Sequence, residues 1–314
     1  IGNPPRLQLI REDILKSGKM NSWEADDYLQ WYDAYDRFLK EKGFDKAFPT
    51  VDDLTRSMGN VSFYYQGRII ENIRISNTVD AYAVNGWESM KLENHSGIVD
   101  NYRFPKGDPE VMARYNAPLY LAVKMNRKVV STGDTTLVDT YIVNEKNLKG
   151  SYILNLVAKD ESGNVVASHK ERVTVKGGND YGQCLQSGWA FIPKSKGYTR
   201  IEASLLKGKT ELVKGDDLLF AVELNTKGIT TRGSVADFLR GVGMEVPVYK
   251  GGTPEGDYLL VGAYEPTQWG SGMSDIMEWV YKGHTLIIVD NPERWAEFLA
   301  DKEVLDYRGS KILG

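Results

Sequence analysis

The sequence predicts a multidomain chain of mixed class, α/β together with all-β, and three changes of hydrophobic period carry that reading. Residues 1–115 repeat apolar side chains at helical spacing around one short buried run. Residues 116–206 switch to alternation with β-branched enrichment. Residues 214–314 alternate short apolar strands with helices. A length of 314 residues exceeds what one hydrophobic core usually serves, so two or three domains are expected.

In the first region "PPRLQLIREDILKSG" places proline near a helix start and Gly18 after its end. Ser22 can cap the next helix, with Glu24, Asp26 and Asp27 near the positive end of its dipole. Ala25, Tyr28, Trp31, Tyr35, Phe38 and Leu39 then recur at helical spacing, and Gly43 closes the run. A third helix is expected over 61–76, with Val61, Tyr64, Tyr65, Ile69 and Ile73 on its apolar face. A short strand is expected at 82–84, followed within one residue by Asn85, Gly86, Trp87 and Glu88.

In the second region the segments 118–125, 136–145, 151–160 and 165–175 read as strands. Further strands are expected at 189–192 and 199–205, with turn signals at 132–134 and 161–164. This spacing predicts an immunoglobulin-like β-sandwich without the antibody cysteine pair. In the third region "DLLFAVEL", "VPVY", "DYLLVGAY" and "HTLIIVD" read as strands. The helices are "SVADFLRGVG", "MSDIMEWVYKG" and "NPERWAEFLA", which together give a parallel, doubly wound sheet.

Composition excludes several function classes. The net charge of −4 offers no electrostatic case for nucleic acid or an anionic membrane surface. No apolar run approaches the roughly 20 residues of a spanning helix. The single cysteine, Cys184, excludes an internal disulfide, and the three histidines lie far apart, so no metal site is expected. Lys207-Gly208-Lys209-Thr210 lacks the upstream glycine of a phosphate loop, and no GxGxxG opens the last region. No cofactor is expected. The first residue is Ile1 and no signal peptide opens the chain; both ends are expected to be cut.

The stretch "AVNGWESMKLENHSG" is where chemistry concentrates. A strand end in an α/β barrel is where binding residues sit, and an indole offers a flat apolar face to a pyranose ring. Asn85 and Glu88 could hydrogen-bond the hydroxyls around it. Two roles fit these residues equally: a sugar platform, or a plug at the barrel mouth with Glu88 capping a backbone amide.

Residues 48–109, "FPTVDDLTRSMGNVSFYYQGRIIENIRISNTVDAYAVNGWESMKLENHSGIVDNYRFPKGDP", resemble the end of the catalytic barrel in glycoside hydrolase family 2. They are most similar to the multidomain β-galactosidase or β-glucuronidase-like members of Bacteroidetes. "IGNPPRLQLIREDI" resembles the segment after the seventh barrel strand. The resemblance implies that 1–115 is the end of a (β/α)8 barrel and that 116–206 is an immunoglobulin-like domain. Residues 214–314 look like a flavodoxin- or glutamine-amidotransferase-like accessory domain.

The implied parent is a retaining glycosidase, secreted or periplasmic, whose two glutamates stand about 5–5.5 Å apart. Neither catalytic glutamate maps onto this chain, so no catalytic residue is expected and no turnover by the chain alone. Asn85, Trp87, Glu88, Asn94 and His95 are the expected substrate-binding residues, and β-linked carbohydrate is the expected partner. An incomplete barrel should expose apolar surface around Ile69, Ile73 and Val84, to be covered by a second copy or by rearrangement. The alternative is a non-catalytic carbohydrate-binding or interaction module working through Tyr181, Trp189 and Tyr198. A third reading places a small ligand at the last domain's switch point, near Gly262, Glu265 and Asp290.

Overall fold

The computed structural model describes residues 6–21, 25–84, 86–88, 97–100, 102–241, 244–262, 272–290 and 295. The chain divides into two compact units, Ile1–Glu223 and Leu224–Gly314.

Unit 1 begins with helices. Helix α1 (Leu7–Ser17) ends on Gly18, whose left-handed backbone lets its N–H reach the Leu15 carbonyl. Helix α2 (Ala25–Glu41) carries Asp26 and Asp27 in its first turn and Lys40 in its last, as the helix dipole favours. Leu7, Ile10, Tyr28, Leu39 and Val51 form the core that these helices share with the next.

Helix α3 (Val51–Ser76) starts ten residues before the position expected from apolar spacing. The cause is a capping box: Asp53 N–H donates to Thr50 Oγ1 and Thr50 N–H donates to the Asp53 carboxylate, both at 3.1 Å. The expected apolar face is also corrected. Val61, Tyr65 and Ile69 are exposed, Ile69 by 60%, whereas Gly59, Phe63, Gly67, Ile70, Glu71 and Arg74 are buried. A Cβ on Gly67 would fall 2.0 Å from the Tyr115 ring, so the glycine is what lets helix α4 (Pro109–Tyr115) pack this close.

The run expected as a strand at 82–84 forms none; nearby, Val99 makes isolated bridges to Glu88, parallel, and to Pro105, antiparallel. Among the described residues of 1–115, no barrel strand is present.

The strands of unit 1 are β1 (Leu119–Met125), β2 (Val129–Ser131), β3 (Thr136–Asn144), β4 (Gly150–Lys159), β5 (Val165–Val175), β6 (Gly182–Phe191), β7 (Gly197–Lys207) and β8 (Thr210–Val222). They form two sheets, β1-β3-β6 and β2-β8-β7-β4-β5. Inward residues of both, among them Leu121, Val138, Leu156, Ile201 and Leu219, share one core. Strand β1 is buried on both faces. Leu121 and Val123 point into that core, while Tyr120 and Ala122 pack with Phe63 and Ile70 of α3 and Met112 of α4. The run 217–224, expected to open the last domain, instead falls largely within β8, antiparallel to β7.

A buried ionic cluster ties α3 to this sandwich. Glu71 meets Arg68 at 3.1 Å and Lys124 at 3.2 Å, and accepts from the Tyr120 hydroxyl at 2.6 Å. Asp217 of β8 meets Arg68 at 3.0 Å and Lys128 at 2.7 Å. Burial, and then the Glu71 charge, push Tyr120 far above the usual phenol range.

Unit 2 contains β9 (Ile229–Arg232), α5 (Ser234–Gly241), β10 (Tyr258–Val261), α6 (Gly272–Tyr281) and β11 (Thr285–Ile288). The three strands are parallel in the order β11-β10-β9. The run expected as a strand at 246–249 makes a single parallel bridge, Val248 to Thr231, on the edge of β9 away from β10. Strand β9 itself, "ITTR", was not expected from its sequence. Among the described residues, no helix is long and apolar enough to cross a membrane.

Candidate functional site

The stretch singled out by sequence is held by residues 97–107. The Trp87 carbonyl accepts from the N–H groups of Ile98 and Val99, at 2.9 and 3.0 Å. Those two bonds fix the backbone, and the indole is left 63% exposed. Next to it the Glu88 carboxylate lies 3.6 Å from the Arg103 guanidinium. Arg103 has φ 64°, a left-handed conformation costly for a side chain of this kind.

Asp100 builds the turn beneath. Its Oδ1 accepts from the N–H groups of Tyr102 and Phe104, at 2.9 and 3.0 Å. Its own N–H donates to the Phe104 carbonyl at 2.9 Å, and Lys106 N–H donates to Ile98 O at 3.0 Å. The Tyr102 hydroxyl donates to Asp13 of α1 at 2.6 Å. Burial, and then that carboxylate, push Tyr102 up to about 12. Lys106 is pulled down to about 8 by burial, which disfavours its ammonium, although Asp100 opposes the shift.

Trp87 and Glu88 are therefore adjacent, one an exposed ring and the other a carboxylate paired with a cation. Asn85, Asn94 and His95 lie outside the described residues. Sequence reading passed over Asp100 and Lys106, both buried within a polar loop. The signal that could have pointed to them is the run "VDNYRFPK", where short-range carboxylate-to-backbone bonding is favoured after an apolar residue.

The aromatics named for the sandwich differ among themselves. Trp189 is half-buried against His169, ring centroids 6.2 Å apart, whereas Tyr181 and Tyr198 are exposed. Tyr198 pairs across strands with Phe220 at 4.7 Å on the outer face of the five-stranded sheet. In unit 2, Gly262 follows β10 so closely against α5 that a Cβ there would lie 2.2 Å from Ser234 Oγ. Ser234 in turn donates to Asp290. Strand order reverses at β9, so Gly262 and Ser234 stand at the switch point; Glu265 lies outside the described residues. Among the described residues, no group of three His, Cys, Asp or Glu could hold a metal ion.

Comparison with family models gives no match, and none is found among curated proteins. Solved structures give several similarities. The chain is similar to the CARDB domain of a Pyrococcus furiosus protein at 15% identity, covering 33% of this chain and 87% of that one, with a TM-score of 0.24. It is similar to a glycosyl hydrolase family 2 member from Bacteroides cellulosilyticus at 14% identity, over 60% of this chain and 34% of that one, TM-score 0.27. It is similar to a Bacteroides uniformis β-glucuronidase at 12% identity, over 49% and 21%, TM-score 0.27. The chain thus spans about a third or less of the length of these two glycosidases.

Proposed function

We propose that this chain is the C-terminal portion of a retaining glycoside hydrolase of the family 2 type, acting on β-linked carbohydrate. In this reading it offers Trp87 to one sugar ring, supplies scaffold domains, and turns over no substrate by itself. The observation that carries the reading is the exposed indole of Trp87 beside the Glu88 carboxylate, in a stretch whose residues resemble the family's barrel end. An indole face presents its π-cloud to the C–H groups on one side of a pyranose. Glu88, whose carboxylate is partly exposed 3.6 Å from Arg103, then accepts from a ring hydroxyl. Retaining hydrolysis needs a second carboxylate about 5–5.5 Å away. On the resemblance, neither of the family's glutamates maps onto this chain, so Glu88 is assigned as a contact and not as a nucleophile. Asn85, Asn94 and His95 complete the proposed sugar contacts.

The test is hydrolysis of a panel of nitrophenyl β-glycosides by the 314-residue chain and by Glu88→Gln. Neither is expected to release nitrophenol. Turnover that disappears in Glu88→Gln would place the chemistry on Glu88 and overturn the reading.

A second reading, a non-catalytic carbohydrate-binding module, is favoured by one observation. Tyr198, 53% exposed, forms with Phe220 an aromatic pair on an outer sheet face that also carries Arg200 and Glu202. In that case the sugar binds to the sandwich and not at Trp87.

A further inference from the structure

The start of α3 and the loop residues Asp100 and Phe104 to Gly107 line a half-open cavity of about 240 Å³, many times what one water requires. Asp52, Asp53, Thr55 and Arg56 line it from the helix, Asp100 and Lys106 from the loop, and Arg6 from ahead of α1. Asp100 is 1% exposed. One of its oxygens is used by the turn. The other, Oδ2, is buried without a hydrogen-bond partner. The remaining acids of the lining are occupied elsewhere: Asp52 accepts from Gln8 N–H, and Asp53 holds the helix cap. A buried acceptor left unmade is expensive, and a carboxylate especially so.

The lining also restricts what can satisfy that oxygen. Three acids, Asp52, Asp53 and Asp100, stand against three bases, Arg6, Arg56 and Lys106, so the wall carries no net charge. An anion would meet Asp100. A cation would meet the same desolvation that already lowers Lys106 to about 8. What remains is a neutral molecule with a hydroxyl to donate, and Phe104, Pro105 and Pro109 give it an apolar wall.

We propose that this cavity binds a single neutral polyhydroxyl molecule of monosaccharide size, with Asp100 Oδ2 accepting one hydroxyl proton. Trp87 and Glu88 are not among the residues lining it, so this is a second site, independent of the sugar contact proposed above. Residues 98–100 join the two, since Ile98 and Val99 hold Trp87 while Asp100 faces the cavity.

Isothermal titration calorimetry of the full chain with glucose, galactose and glycerol, each at millimolar concentration, tests this. Saturable binding of a neutral sugar or polyol is expected. Asp100→Asn keeps the Oδ1 acceptor of the turn but replaces the unpartnered oxygen with an amide, and binding should weaken about tenfold. Arg56 is exposed at the rim, so Arg56→Trp should fold normally and obstruct entry. Binding should then be lost, which decides the matter even if Asp100→Asn fails to fold. Phe238→Ala, exposed and outside both proposed sites, should bind as the parent does. No saturable binding of any of the three would mean that the cavity holds water only, and would overturn the proposal. Binding retained in either cavity variant would overturn it too. Binding lost in Trp87→Ala but kept in both cavity variants would assign the sugar to the Trp87 site instead.

Discussion

Arg68 of α3 reaches Asp217 of β8 at 3.0 Å, a contact between a helix and a sandwich strand separated by nearly 150 residues of chain. Arg68 is also 3.1 Å from Glu71, so one guanidinium holds two buried carboxylates. Desolvating such charges is costly, and the cluster holds only because each carboxylate has several donors. Asp217 meets Arg68, Lys128 and its own neighbour's N–H at Leu218.

Removing one carboxylate therefore leaves cations buried without compensation. Asp217→Ala should lower stability by about 3 kcal/mol. The prediction is specific in site: in urea denaturation followed by hydrogen exchange, α3 should lose protection together with β8. A loss below about 1 kcal/mol would show that the cluster is solvated in solution.

Gly67 tests how closely α3 and α4 pack. Alanine in a helix is better than glycine by about 1 kcal/mol. Its Cβ would lie 2.0 Å from the buried Tyr115 ring, and overpacking costs about 1–3 kcal/mol. Gly67→Ala should be net destabilising by thermal melting. A stabilised variant would mean that the helices stand farther apart.

Lys106 makes stability depend on alkaline pH. Its folded pKa, about 8, is below that of an unfolded lysine, so the unfolded chain holds this proton more tightly. Below pH 8 both states are protonated and the folded state carries the desolvation cost in full. Between pH 8 and the unfolded lysine pKa only the unfolded state is protonated, and stability rises with pH. In Lys106→Met that rise should be absent from the difference between the two proteins. Identical pH profiles would show that the ammonium is solvated.

How much of this was legible in the sequence varies by element. The sandwich strands 119–125, 136–144, 150–159 and 165–175 fall where alternation places them, because period two survives wherever one face meets a core. Helix α3 was misread because what it buries is Gly59, Gly67, Glu71 and Arg74, residues that an apolar pattern passes over. The boundary after β8 is not visible in the sequence because 218–222 is as apolar as any buried strand, and only its pairing with β7 assigns it. "ITTR" is too short and polar to announce a strand. At the candidate site, Trp87 and Glu88 stood out by residue type, whereas Asp100 acts through backbone bonds two and four residues away.

The central claim is a sugar subsite at Trp87, and titration of a β-linked oligosaccharide against the chain tests it most directly. Tryptophan fluorescence and calorimetry would be followed in the parent, in Trp87→Ala and in Tyr198→Ala. With its indole 63% exposed, Trp87→Ala should melt within about 0.5 kcal/mol of the parent. Binding should fall at least tenfold in Trp87→Ala and stay unchanged in Tyr198→Ala. Binding lost in Tyr198→Ala and kept in Trp87→Ala would contradict the account and place the working surface on the sandwich.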